Sequence, residues 1–184
     1  WRLHQTPVHL EALLGEASRK ILFRLRTSGG YESPLSLRQA LKGQKSYAVY
    51  ALLCANIAMF GLQVSLGGSS NPEVLYRLGA LIPELVMAGE WWRCLTANFL
   101  HLNLLHLLAN MVGLYLFGRF VAAVLGTAKF LATYFISGIG AMFTVAILSI
   151  WVGSPDIFCV GASGAVMGLL GVMGAIFLRG WRRD

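Results

Sequence analysis

The chain has 184 residues, of which 57% are hydrophobic and only 12% are charged. A soluble domain carries about 25% charged residues, so this chain has too little polar surface for a water-soluble globule, and lipid has to solvate much of it. The length suits a single domain.

Residues 1–46 precede the first long apolar segment and are predicted to form a separate N-terminal segment. Apolar residues recur in it at helical spacing, namely Leu10, Leu13, Leu14, Ala17, Ile21 and Leu25. The pattern predicts an amphipathic helix that either packs in a small domain or lies on the membrane surface.

Residues 47–184 are predicted to form one transmembrane domain. A helix needs about 20 apolar residues to cross a bilayer core, and segments of this kind run over about residues 47–66, 102–120, 130–152 and 160–178. A long loop of about residues 67–101 separates the first two spans and contains tryptophans typical of a membrane interface. The sequence therefore predicts an all-α polytopic membrane protein. Cys94 and Cys159 fall on one side of it, and a disulfide between them is a further hypothesis.

The net charge of +7 is explained by the orientation of the chain. Eight Lys and Arg residues precede the first span, two lie between spans two and three, and three follow span four, whereas only Arg77 and Arg93 fall on the other side. Such an asymmetry places both ends in the cytoplasm, next to anionic lipid headgroups. Nucleic acid is not needed to explain the basic residues.

His106 and Asn110 are polar residues inside the second span, which makes them functional candidates. Their spacing places them on one helix face, with His101 at the end of the span. Both side chains could instead link neighbouring helices by hydrogen bonds. A metal site is disfavoured, because His101 and His106 do not share a helix face and no zinc-protease spacing is present.

Ser163 opens the fourth span, where main-chain N–H groups have no partner within the helix. The positive end of the helix dipole stabilises negative charge there, including a tetrahedral oxyanion. Glycines at 161, 164, 168 and 171 form a stripe along which another backbone can approach closely. Taken alone, however, Ser163 favours the interpretation as a helix cap or a small packing residue.

Three separated motifs together resemble the rhomboid family of intramembrane serine proteases. They are Glu90-Trp91-Trp92-Arg93, His101-x4-His106-x3-Asn110 and Gly161-Ala162-Ser163-Gly164. The resemblance covers roughly residues 47–183. It implies a rhomboid-type bundle in which four of an expected six transmembrane helices are present.

The resemblance also implies roles for individual residues. Ser163 would be the nucleophile, and His106 and Asn110 would stabilise the oxyanion together with the Ser163 N–H group. The motif residues that would support the structure are Glu90, Trp92, Arg93, His101, Gly161 and Gly164. Substrates would be transmembrane helices of other membrane proteins, cut near the outer face, with no metal or other cofactor. The default location is a bacterial inner membrane.

Two departures from the family pattern concern the catalytic geometry. Met167 stands where the family often has an aromatic residue, and the family's general base is a histidine on a sixth span. The only histidines of this chain are His4, His9, His101 and His106. The residues alone would allow His101 or His106 to be the base, but the resemblance assigns His106 to the oxyanion.

We therefore expect a chain truncated after its fourth span, which would be inactive by itself because a serine needs a positioned base. The alternative is a non-catalytic relative that binds transmembrane clients. A transporter or channel is disfavoured, because none of the eight Asp and Glu residues lies in a span.

Overall fold

A computed structural model describes residues 46–153 and 158–181 of the chain. The amphipathic helix predicted within residues 1–46 lies outside the described residues. The fold below is that of the predicted transmembrane domain.

Four long apolar helices make up most of the described structure. They are α1 (Tyr47–Ser65), α5 (Leu104–Leu125), α6 (Thr127–Trp151) and α7 (Ser163–Trp181). Three of them, α1, α5 and α6, are long and apolar enough to cross a membrane, and α7 contains a shorter apolar stretch, Ser163–Arg179. The prediction of a helical membrane bundle is therefore confirmed.

Short helices occupy the connection between α1 and α5. They are α2 (Pro72–Leu78), α3 (Pro83–Met87) and α4 (Arg93–Thr96), followed by a 3₁₀ turn at Ala97–Phe99. The sequence dictates both ends of α2. Asn71 caps its start by accepting a hydrogen bond from the Glu73 N–H, and Gly79 ends it in a left-handed conformation with φ of 87°.

Arg93 holds this connection together from inside. Its side chain is only 3% exposed, and its Nε lies 2.6 Å from a carboxylate oxygen of Glu90. One guanidinium nitrogen donates to the backbone carbonyls of Tyr76, at 3.1 Å, and Ala80, at 3.0 Å. The guanidinium also lies over the rings of Tyr76 and Trp92. One side chain thus joins α2, the turn after it and α4.

Replacing Arg93 with alanine should lower the free energy of unfolding by about 3 kcal/mol, because it removes charge-assisted hydrogen bonds and leaves buried carbonyls unpaired. The matched control is Arg77→Ala. The Arg77–Glu73 pair is also 2.6 Å long but 73% and 63% exposed, so its loss should change stability by less than about 1 kcal/mol. Unfolding in mixed detergent micelles measures both variants. Equal losses of unfolding free energy in the two variants would contradict the role of Arg93 in holding the connection together.

The helix α7 packs against α6 and α5, and α1 packs against α5. Glycines permit the close contact between α7 and α6. A Cβ added to Gly164 would collide with Ala141 of α6, and one added to Gly168 would collide with Ser137 of the same helix. On the other side, a Cβ on Gly113 of α5 would come within 2.6 Å of the Val166 side chain. The predicted glycine stripe therefore serves helix packing at two of its positions.

The other two stripe positions behave differently. A Cβ added to Gly171 would meet nothing within 4 Å among the described residues, and Gly161 precedes the helix, where an added Cβ would meet His106 of α5 instead. The hypothesis of a Cys94–Cys159 disulfide is wrong for this structure, in which both thiols are free. Cys94 lies in a buried apolar cluster with Leu81 and Met142, and Cys159 packs against that cluster.

Candidate active site

Ser163 is the first residue of α7, and its side chain is exposed. The segment that leads to it is fixed by backbone hydrogen bonds. Cys159 and Leu81 exchange two bonds of 3.0 and 3.1 Å, and the Gly161 N–H donates to the Ala97 carbonyl at 2.9 Å. The start of α7 is therefore attached to the connection that Arg93 braces.

His106 lies directly against this segment. A Cβ added to Gly161 would come within 2.6 Å of His106 Cε1 and 2.7 Å of Nε2, but 3.8 Å from Nδ1. The Nε2 edge of the imidazole thus faces the Gly161 backbone, two residues before Ser163. Gly161 also has φ of 122°, a conformation that other residues rarely adopt. Glycine is required here both by the backbone and by the approach of the ring.

Asn110 lies one turn further along α5 than His106, and only 5% of its surface is exposed. Its amide nitrogen donates to the His106 carbonyl at 2.9 Å, so one of its two N–H groups is used within the helix. The next turn carries Gly113, which contacts α7. Asn110 and His106 therefore belong to the part of α5 that packs along α7.

His101 is completely buried and precedes α5 rather than forming part of it. Its ring packs edge-to-face against His106, with 5.1 Å between the ring centroids. Neither ring nitrogen makes a hydrogen bond of good geometry with a described residue, but the backbone carbonyl of Phe99 lies near enough to the ring to favour its protonated form. Burial and the neighbouring His106 lower the pKa of His101 to about 4, so its imidazole is neutral at neutral pH.

A metal would need more ligands than this pair of imidazoles offers. No group of three or more His, Cys, Asp or Glu side chains comes together within residues 46–153 and 158–181. The described side chains thus provide two nitrogen ligands at most at this place, whereas zinc sites have at least three protein ligands.

Gln63 and Asn103 are two site residues that the sequence analysis missed. Gln63 is fully buried in the last turn of α1, where its amide pairs with the His101 backbone through an N–H···O bond at each end, of 3.0 and 3.2 Å. Asn103 caps α5 by accepting from the His106 N–H at 2.8 Å. A glutamine inside an apolar span is unfavourable unless it is paired, and that signal could have identified Gln63.

The helices are apolar and long enough to cross a membrane, and they enclose the polar pair His106 and Asn110 near the start of α5. This arrangement defines a polytopic helical membrane protein. The family model described as "Rhomboid domain" matches residues 88–183, more than half of the chain. The chain therefore belongs to the rhomboid family, as its motifs predicted, and it is an integral membrane protein.

Several curated relatives carry the name of rhomboid proteases. "Rhomboid protease GluP" of Bacillus subtilis is 36% identical over 124 residues, which are 67% of this chain and 23% of the relative. "Putative rhomboid protease YdcA" of the same species is 42% identical over 68% of this chain and 61% of the relative. "Rhomboid protease AarA" of Providencia stuartii is 34% identical over 64% of this chain and 46% of the relative.

The chain thus spans between 23% and 61% of the length of these three relatives. No solved protein structure shows a significant match to it. The matches show a family with named proteases and an integral membrane protein.

Proposed function

We propose that the protein carrying this chain is an intramembrane serine endopeptidase with Ser163 as its nucleophile. The observation that supports this most is the contact between the Nε2 edge of His106 and Gly161, two residues before Ser163. It joins a hydrogen-bond donor from one helix to the N-terminus of another. In the proposed reaction, the Ser163 hydroxyl gives its proton to a base and its oxygen attacks a peptide carbonyl carbon. The C–N bond then breaks, the amine leaves with the proton, and water hydrolyses the acyl-enzyme to a carboxylate and the free serine.

The oxyanion of this reaction would be stabilised from two directions. The Ser163 N–H lies in the first turn of α7, where it has no intrahelical acceptor and where the helix dipole favours negative charge. His106 and the second N–H of Asn110 would donate from α5. Such donors act strongly in a site of low dielectric, because little water is present there to weaken their interaction with the oxyanion.

The general base of the proposed reaction is a histidine that these 184 residues do not contain. His106 serves the oxyanion, and His101 is buried behind it. His4 and His9 belong to the N-terminal segment of residues 1–46. We therefore propose that the 184-residue segment alone is inactive and that a further transmembrane helix of the protein supplies the base.

The proposed substrates are transmembrane helices of other membrane proteins. Ser163 is exposed at the start of α7, and the helices around it have many exposed apolar side chains, which suits a lipid environment. A substrate helix that unwinds near the membrane boundary could bring a main-chain carbonyl to this serine. By the distribution of Lys and Arg, that boundary is the outer one, both ends of the chain are cytoplasmic, and a bacterial inner membrane suits the arrangement.

Replacing His106 or Asn110 with alanine should each lower kcat by on the order of a hundredfold, because each removes one oxyanion donor. The matched control is Leu105→Ala, since Leu105 lies on the same helix but is 77% exposed. Cleavage of a model transmembrane substrate by the full-length protein in lipid vesicles measures all three. If both variants cleave at the wild-type rate, the proposed oxyanion donors are wrong.

A further inference from the structure

Gln63 is a polar side chain in an apolar helix, and the proposed reaction does not use it directly. It lies in the last turn of α1 and is fully buried. An amide in such a helix is unfavourable unless its hydrogen-bonding groups are paired. If packing were its only role, an apolar side chain of similar size would suit the position better. The partners of Gln63 therefore indicate its function.

The amide of Gln63 makes three hydrogen bonds, and two of them reach the backbone of a single residue. Its oxygen accepts from the His101 N–H at 3.0 Å, and its nitrogen donates to the His101 carbonyl at 3.2 Å. The nitrogen also donates to the Ser69 carbonyl at 3.1 Å. Gln63 thus fixes the peptide groups on both sides of His101.

The segment that contains His101 depends on such bonds, because residues 100–103 lie in neither a helix nor a strand. The Leu100 N–H bonds to the Ala97 carbonyl of the 3₁₀ turn, and α5 begins only at Leu104. A second bond comes from the same side, since the Ser69 hydroxyl donates to the Leu102 carbonyl at 2.9 Å. The end of α1 and the loop after it therefore determine where the His101 backbone lies.

The position of His101 matters because its ring contacts the ring of His106. The two ring centroids are 5.1 Å apart, and the ring planes meet at 64°. His101 is completely buried, and in a close-packed interior a shift of its backbone displaces the neighbouring ring. The Nε2 edge of His106 lies against Gly161. Two contacts thus place the imidazole of His106, and Gln63 holds the backbone behind one of them.

We infer that Gln63 is a positioning residue, which orients the imidazole of His106 toward the start of α7 by fixing the His101 backbone. This inference rests on the proposed function, in which His106 donates to the oxyanion. Gln63 acts through His101 and forms no bond with the reacting atoms. Its loss should therefore lower the rate of the chemical step and leave substrate binding unchanged.

The test replaces Gln63 with methionine in the full-length protein in lipid vesicles. Methionine has a similar length and an apolar side chain, so it retains the packing but loses all three hydrogen bonds. We expect kcat of the folded variant to fall about 10- to 100-fold, because a misplacement of about 1 Å has an effect of that order. KM should not change. A wild-type kcat, or a defect confined to KM, would overturn the inference.

Gln63→Glu tests whether the hydrogen bonds, rather than the shape of the side chain, are responsible. A buried carboxyl group avoids the charged form, and the neutral acid accepts from the His101 N–H and donates to one carbonyl. The kcat of Gln63→Glu should therefore lie between those of Gln63→Met and wild type. Equal values of kcat in the two variants would overturn the inference.

Asn56→Leu is the matched control. Asn56 is also a fully buried amide of α1, but its nitrogen donates to the Leu52 carbonyl of the same helix, at 2.8 Å. Its replacement removes a buried amide without releasing the His101 backbone, so kcat of the folded protein should equal that of wild type. A loss of kcat equal to that of Gln63→Met would show a general effect of polar residues in α1 and would overturn the inference.

The NMR signal of the His106 ring separates this inference from the proposed function. The Cε1–H resonance is assigned by its loss in His106→Gln, and its chemical shift responds to the neighbouring ring of His101. We expect this resonance to move in Gln63→Met and to stay in place in Asn56→Leu. If wild type cleaves no transmembrane substrate, the proposed function fails while the chemical shift still decides the inference. An unchanged resonance in Gln63→Met would overturn it.

Discussion

Replacing Ser163 with alanine should abolish cleavage of transmembrane substrates, with kcat falling on the order of a million-fold, as when a serine protease loses its nucleophile. No donor on the oxyanion side can compensate, because without the hydroxyl no acyl-enzyme forms. The side chain is exposed at the start of α7, so the variant should fold like wild type. Loss of activity with an unchanged Tm would therefore report on chemistry.

The matched control for this variant is Ser65→Ala. Ser65 is also an exposed serine at a helix end, where its hydroxyl donates to the Leu62 carbonyl at 2.8 Å. Cleavage by this control should equal that of wild type. A serine-directed fluorophosphonate probe gives a second readout, since it should label wild type and Ser65→Ala but not Ser163→Ala.

The same pair of variants decides between the protease and its non-catalytic alternative. A binding protein would retain transmembrane clients equally in wild type and in Ser163→Ala, and the probe would label neither. A protease would cleave in wild type and retain uncut substrate in Ser163→Ala. Cleavage at the wild-type rate by Ser163→Ala would remove Ser163 from the proposed reaction.

The long helices were predictable because the length of an apolar run is a local property. Their ends were less so. The second span was predicted over about residues 102–120, whereas α5 covers Leu104–Leu125. Asn103 sets its start, since its side chain accepts the N–H of the third helical residue, His106. His101 consequently lies outside the helix, and its contact with His106 does not follow helical spacing.

The contact between His106 and Gly161 could not be predicted from either residue alone. The motif resemblance indicated that the two segments belong to one site, but more than fifty residues separate them in the sequence. Their approach depends on the hydrogen bond from Gly161 to Ala97 and on the packing of Gly113 against Val166. Such tertiary contacts leave no periodic signal in a sequence.

Replacing Gly161 with alanine should lower kcat by on the order of 100- to 1,000-fold, comparable to the loss of a full oxyanion donor. The new methyl group would lie 2.6 Å from Cε1 and 2.7 Å from Nε2 of His106. One of the two has to move, and the Gly161 backbone is held by its bond to Ala97. The ring is therefore expected to rotate, which turns Nε2 away from the start of α7.

The φ of 122° at Gly161 adds strain that an alanine cannot avoid, so the variant should also lose about 1–2 kcal/mol of stability. Gly140→Ala is the matched control, because Gly140 lies within α6 and a Cβ there would meet nothing within 4 Å. It should cleave like wild type, and alanine's helix propensity exceeds that of glycine by about 1 kcal/mol.

Stability and activity separate in this comparison, because the stability loss expected of Gly161→Ala is too small to unfold most proteins. If Gly161→Ala is folded but cleaves slowly, the displaced imidazole of His106 is the cause of the loss of activity. If instead folded Gly161→Ala cleaves at the wild-type rate, the orientation of His106 against Gly161 does not matter for catalysis. The oxyanion would then have to be stabilised by the start of α7 and by Asn110, without the ring that now lies against Gly161.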